Sequence, residues 1–328
     1  MTPRRAAPLI LLWWLPLLAA PHGDGPQIFA PGVISSAAND GTPAFTPDGR
    51  TLFFTRSGPQ WGFILESHAQ GKGWSQPQLA SFSGEFPDSS PSMAPDGSYL
   101  LFESLRPADA ASAGRHASAL WKVERRGRGW GSPQRLPDTV NIGPDVWRPA
   151  VAANGDVYFN FRSQGVKNFR LYRARYQNGS YQRAEPLPFS DGSSFDVDAA
   201  VAPDQSFVVF ASSGRAAFKD GHEHLYIVFA KGEGWGEALP LCLGGAGDGT
   251  QSVEDDAALG ADGRTLYFAT DRTVPMALPH SRAAAAQSLA DMQGWNNGNG
   301  NVWSVSLAPW LEAVRAGQPP PPCPSPAS

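Results

Sequence analysis

Five times in 328 residues the chain repeats one phrase. It reads "GTPAFTPDGRTLFFTRS" (41–57), "SSPSMAPDGSYLLFESLR" (89–106), "WRPAVAANGDVYFNFRS" (147–163), "VDAAVAPDQSFVVFASS" (197–213) and "EDDAALGADGRTLYFATDR" (254–272). Each copy has a short apolar segment, a turn centred on Asp48, Asp96, Asn154, Asp204 or Asp262, and a second segment of alternating apolar residues. Asp-Gly and its relatives between two such runs mark a β-hairpin. A hairpin cannot bury its own apolar face, so five of them in series must stack against one another.

A second pattern completes the unit. Ile64 and Trp74, Leu120 and Trp130, Leu171 and Tyr181, and Leu225 and Trp235 are each ten residues apart. Between them lie a strand and a Gly-containing turn ("AQGKGW", "RRGRGW", "YQNGSY", "AKGEGW"). The unit therefore has four strands and recurs every 50 residues or so, as propeller blades do. The fifth unit supplies only three strands, the last being "NVWSVSL" (301–307), before "APWLEAVRAG", which reads as a short helix. The missing strand lies at the other end, where "PQIFAPGVISSAAND" (26–40) matches the outer-strand phrase "PQLASFSGEFPD" (77–88). The expected fold is all-β: a five-bladed β-propeller of four-stranded blades, closed by the N-terminal strand joining the last blade, which leaves no open edge. The blades are expected at 40–84, 88–138, 145–190, 196–243 and 254–307 plus 26–36, followed by a Pro-rich tail, 311–328.

These phrases, "APDG" before "LYF", then "LY", then "GW" leading to a Pro and a Leu, resemble the TolB-type (PD/WD40-like) β-propeller repeat of bacterial exported proteins. The resemblance covers nearly the whole chain after its first residues. Of the Ser-Asp-Arg-x-Gly-Gly stretch common in that family only "TDR" (270–272) is kept, and the Asp before Leu-Tyr is replaced by Ala119, Arg170, His224 or Asn301. The resemblance implies an exported propeller, a class that includes binding proteins, scaffolds and enzymes.

The first residues point the same way. Arg4 and Arg5 precede an apolar run from Ala6 to Ala20 closed by small residues, the pattern of a secretory signal peptide, expected over 1–22. The run is short for a bilayer span, so no membrane span is expected after cleavage, and the expected location is periplasmic or extracellular. In such a compartment Cys242 and Cys323 either form one disulfide, tying the tail to the body, or remain two thiols; the sequence leaves both open. The formal net charge of -4 offers no field for nucleic acid. A monomer is expected.

The acids follow the repeat in part. Asp40, Asp88, Asp196 and Glu254 stand eight residues before their turn residue, with Asp145 shifted by one. A carboxylate there is suited to binding backbone N–H groups between blades. Asp198 and Asp256 stand six before the turn, where the other units have Thr42, Ser90 and Arg148, and Asp255 is a further addition. In a propeller all these acids gather on one face near the axis, and so do Arg56, Arg106, Arg162, Arg215 and Arg272, which follow the second strands. The arginines either pair with the acids or hold a ligand carboxylate. Crowded carboxylates raise one another's pKa or bind a hard cation. No cofactor motif is present; calcium is the ion such acids would take, at Asp198 and Asp256. His222 and His224, two residues apart, make half a metal site at most. Trp147, with Trp61 and Trp295, falls near the loops of this face, whereas Trp74, Trp130 and Trp235 read as blade packing.

No nucleophile motif, phosphate loop or complete metal-ligand set is present. The function expected is therefore binding or scaffolding, recognising a glycan, a peptide or an envelope partner on the loop-rich face. The alternative is a carbohydrate-active hydrolase or lyase using axial carboxylates.

Overall fold

The computed structural model describes residues 25–109, 117–218, 220–243, 252–274, 278–321 and 323; the expected signal peptide lies outside them. Five four-stranded blades form a ring. Their innermost strands are Asn39–Phe45, Asp88–Met93, Trp147–Val151, Phe195–Val201 and Glu254–Leu259, each antiparallel to the second strand of its hairpin. In the last blade, Asn301–Ser306 is flanked by Gln27–Ile28, with Gln27 opposite Ser304 and Ile28 opposite Trp303. The N-terminal strand thus closes the ring.

Each inner strand carries a β-bulge at the same place, between Gly41 and Ala44, Ser89 and Ser92, Trp147 and Ala150, Val197 and Ala200, and Asp255 and Ala258. The residue at the centre of every bulge has a positive φ: Thr42 (51°), Ser90 (55°), Arg148 (57°), Asp198 (60°) and Asp256 (56°). Non-glycine residues reach this left-handed region only where the surrounding structure holds them there. Here the holding bonds run from blade to blade. The Ser90 N–H donates to Thr55 Oγ1 at 2.9 Å, the Arg148 N–H to Glu103, the Asp198 N–H to Asn160 Oδ1 at 2.9 Å, and the Asp256 N–H to Asp198 Oδ2 at 3.2 Å. Thr55, Glu103 and Asn160 occupy one column of the second strands, where the last two blades have Ala211 and Ala269. Asp198 takes over the acceptor role that Ala211 cannot supply.

One position outward from that column stand Phe54, Phe102, Phe159, Phe210 and Phe268, all fully buried. Each buried aromatic of this kind contributes about 1.5–3 kcal/mol of burial free energy. The gaps between blades are filled by the fourth-strand tryptophans. Trp74 meets Phe29 and Phe45, Trp130 meets Phe53 and Phe82, and Trp235 meets Phe189. In the third blade the equivalent residue is Tyr181, in a hairpin of Tyr176–Gln177 with Ser180–Tyr181.

Two helices stand outside the blades. Arg282–Gln293, capped by Ser281, forms in the Ala-rich part of the longest loop and buries none of its residues; Ala308–Arg315 follows the last strand and buries Trp310. Cys242 and Cys323 are joined by a disulfide, with Cα atoms 5.2 Å apart. Among the described residues no helix is long and apolar enough to cross a membrane.

Candidate functional site

The acids and arginines of the repeat separate into two systems. The first is a set of four ion pairs, one per blade in four blades. Arg56 meets Asp40 at 2.6 Å, Arg106 meets Asp88 at 2.6 Å, Arg215 meets Asp196 at 2.8 Å and Arg272 meets Glu254 at 2.6 Å. The same guanidinium also donates to a carbonyl of the segment entering the blade: Val33 and Ile34, Phe82, Phe189 and Leu243 respectively. Each guanidinium further lies over the buried phenylalanine of its own blade, 5.0–5.6 Å from the ring centre. These acids are thus engaged in holding connection to blade. Burial raises the pKa of Asp40, Asp88 and Glu254 even so, because desolvation outweighs the paired arginine.

The third blade departs from this scheme. Buried Val146 takes the place of the acid, and Asp145 is exposed one residue earlier. Arg162 lies 5.3 Å over Phe169, and among the described residues it forms no ion pair. Trp147 stacks on the same Phe169 at 4.6 Å. It is only partly buried, packed against the core with one ring face on Phe169.

The second system surrounds the axis. A central channel of about 180 Å³ runs between the inner strands. Its wall is largely Pro and Ala, as at Pro43, Pro91, Pro149, Ala199 and Ala257, and one end is bordered by the left-handed residues Thr42, Ser90 and Arg148. Arg148 bridges two carboxylates there, with Nε 3.0 Å from Asp198 and Nη2 2.8 Å from Asp256. Asp198 also accepts from the Asn160 amide at 2.9 Å. Asp255 and Glu223 complete the group: one carboxylate oxygen each of Asp198, Glu223 and Asp255 lie within 4.8 Å of one another. Glu103 approaches from the second blade through Ser90.

One guanidinium faces five carboxyls, and the protonation of the group reflects that. Burial, with only partial relief from Arg148, lifts Glu103 to about 7. Burial and the charges of Asp198 and Asp256 lift Glu223 to about 7. Asp256 is raised to about 6, by burial and by Asp198 against the pull of Arg148. Asp255 is raised well above its ordinary value, by burial and then by Asp256 and Asp198. For Arg148 burial works against the charge, but the surrounding acids outweigh it and hold the group above its usual pKa.

Arg148 thus stands between Asp198 and Asp256, the two acids at which calcium is expected, while the three carboxylates that come closest together are Asp198, Glu223 and Asp255. The strand begins only at His224, so His222 and His224 do not share a strand face. His224 stacks on Phe218 at 3.9 Å and points Nε2 to Asp220 at 2.9 Å, with Nδ1 3.9 Å from Glu254. His222 donates its backbone N–H to Asp220. Glu223, between the two histidines, is the residue of this segment that reaches the acidic group.

The geometry also explains Gly41. A Cβ there would fall on the Asp256 carboxylate. Gly41→Ala is expected to displace Asp256 from Arg148 and lose about 1–3 kcal/mol in urea unfolding. Gly73→Ala, with nothing within 4 Å of its Cβ, provides the control. Equal stability of the two variants would show that Asp256 is not fixed in this way.

No family model and no curated protein matches the chain. Among solved structures it is similar to a glycoside hydrolase (9% identity, 94% of this chain and 96% of that one, TM-score 0.51). It is also similar to an α-L-arabinofuranosidase from Podospora anserina solved with cellotriose (12% identity, 86% and 96%, TM-score 0.50). A third similarity is to a TolB from Agrobacterium tumefaciens (15% identity, 71% and 70%, TM-score 0.46). At such identities the likeness concerns fold, and the fold is a five-bladed β-propeller.

Proposed function

We propose that the chain is an exported propeller that binds a hydroxyl-rich glycan at the acidic end of its axis, with a calcium ion held by Asp198, Glu223 and Asp255. The observation that carries this reading is the excess of five carboxyls over one guanidinium at that end, Glu103, Asp198, Glu223, Asp255 and Asp256 against Arg148. Buried like charges are costly unless protons, a cation or a polar ligand relieve them. Three carboxylates giving one oxygen each supply three of the roughly six to eight ligands calcium takes, which leaves positions for sugar hydroxyls or water. Export to the periplasm or beyond is supported by the leader pattern and by the Cys242–Cys323 disulfide. A monomeric protein is part of the same reading.

A second reading is favoured by one observation. Glu223 keeps its proton to about pH 7 beside the carboxylates Asp198 and Asp256. Two close carboxyl groups, one of them with a raised pKa, are what glycoside hydrolysis uses. Solved propellers of this fold include proteins described as glycoside hydrolases.

The test is thermal melting of the chain lacking residues 1–24, with calcium, with EDTA and with a panel of oligosaccharides. Ligand at a hundredfold excess over its Kd is expected to add about 2.7 kcal/mol, and Asp198→Asn plus Asp255→Asn to abolish the gain. Release of reducing ends, lost in Glu223→Gln, would establish the hydrolase. A folded double variant whose melting matches the parent under every condition would overturn the acidic end as a site.

A further inference from the structure

The third blade differs from its neighbours, and the difference opens a cleft. In the first, second and fourth blades a fourth-strand indole plugs the gap to the preceding blade: Trp74, Trp130 and Trp235 each meet aromatic rings at 5.5–5.9 Å. Between the second and third blades the plug is the smaller Tyr181. Its hairpin keeps the register of the other blades, with Tyr176 opposite Tyr181 as Ala69 is opposite Trp74, but the Tyr176 N–H bonds the Asp156 side chain where its counterparts bond a backbone carbonyl. The result is a cavity of about 440 Å³ on the side of the ring where the Asp96 and Asn154 turns lie, opposite the acidic end. That volume lies within the range of small-ligand sites.

Three tyrosines line it. Tyr176 and Tyr181 have ring centres 4.9 Å apart at 57°, and the Tyr99 and Tyr181 hydroxyls interact with each other. Tyr176 is 41% exposed, and its position is fixed from behind: its N–H donates to Asp156 at 2.8 Å, and its ring lies against Gly155, where a Cβ would come within 3.0 Å of it. Lys122 lies 5.6 Å over the Tyr99 ring while paired to Glu124 at 3.0 Å. Asp96 stands at the rim with one oxygen taken by the Ser98 N–H and hydroxyl, and Asn154 accepts from the Asp156 N–H.

We propose that this cleft is a second carbohydrate site, taking a neutral oligosaccharide whose sugar rings lie on the tyrosine faces. The choice of ligand follows from the polar groups. Lys122 offers donors, Asp96 offers an acceptor, and the tyrosine hydroxyls offer both. Sugar hydroxyls donate and accept, so they satisfy all of them. A proline-rich segment would also suit an aromatic cleft, but its backbone has no N–H to give Asp96. The proposal is independent of the acidic end, since none of its residues belongs to that group.

The experiment is NMR-detected or calorimetric titration of the chain lacking residues 1–24 with cello-, xylo-, arabino- and chito-hexaose, and with hexaproline for comparison. One of the sugars is expected to bind. Tyr176→Ala should weaken it roughly tenfold, the worth of one ring stack, while Tyr176→Phe keeps it within about threefold. Tyr176 is exposed, so both variants should melt as the parent does. Asp198→Asn plus Asp255→Asn should leave this binding unchanged. Sugar binding that is lost in the aspartate variant but not in Tyr176→Ala would overturn the cleft and leave the acidic end standing. So would binding of hexaproline alone, or of nothing in the set.

Discussion

Arg106→Ala is expected to be among the most damaging single substitutions in the ring. It removes the one cation from Asp88, whose carboxylate is wholly buried, and leaves the Phe82 carbonyl without its donor at 2.6 Å. Breaking a buried pair from one side costs about 3–5 kcal/mol, because the remaining charge is left without compensation. The loss of the contacts to Phe102, Phe86 and Trp121 adds to it. Arg135→Ala, whose partner Asp138 is largely exposed, is expected to cost less than about 1 kcal/mol. The damage should also depend on pH. Asp88 already has a raised pKa with Arg106 present, and without the arginine it escapes by taking a proton. Urea unfolding at pH 5 and pH 8 measures both effects, and the deficit should be larger at pH 8. A deficit below about 1 kcal/mol at both values would mean that the blade entry is held by backbone bonds alone.

The unsubstituted protein should lose stability as pH rises from 5 to 8. Glu103 and Glu223 titrate near 7 in the folded chain against 4.5 as their ordinary value, and Asp256 near 6 against 3.8, with Asp255 raised as well. The folded state therefore binds more protons than the unfolded one between about pH 4 and pH 7. In that window stability falls with each step upward, and above the folded pKa values the gain is gone. The turn aspartates Asp48, Asp96, Asp204 and Asp262 have lowered values, so their contribution is lost only on acidification below this window. One pKa unit corresponds to about 1.4 kcal/mol. Mutual coupling and the partial exposure of Glu223 reduce the sum, to about 2–4 kcal/mol between pH 5 and pH 8. Glu103→Gln should flatten part of the slope. Stability that stays level or climbs between pH 5 and pH 8 would show that the axial acids are ionised without cost.

The architecture was legible because hairpin turns and alternation are local signals repeated five times, so errors at one copy are corrected by the others. Asp198 and Asp256 were found for the same reason, as departures from Thr42, Ser90 and Arg148 in one column. Arg148 was in that column too, but its bridging of two acids depends on the curvature of the ring, which no local pattern encodes. Glu103 and Asn160 were missed although a signal existed. Aligned second strands read Thr55, Glu103, Asn160, Ala211 and Ala269 at the position facing the next blade's bulge. A Glu and an Asn among otherwise apolar strands are out of place unless they face the axis. Glu223 was hidden by its neighbours, since His222 and His224 drew the metal argument to themselves. The stacking of Trp147 on Phe169 was not legible, because a tryptophan beside a loop does not announce whether a ring waits across from it.

The seam between Gln27–Ile28 and Asn301–Ser306 sets a timetable for assembly. A chain made from its N-terminus delivers the closing strand first and the strand it must pair with last. Four blades and most of a fifth emerge while the ring is still open. The inner faces of the first and last blades meet only after the residues around 300 have arrived. Until then the clasp is a free two-residue segment and the final sheet presents a bare edge, so the ring cannot close before its last strand is made.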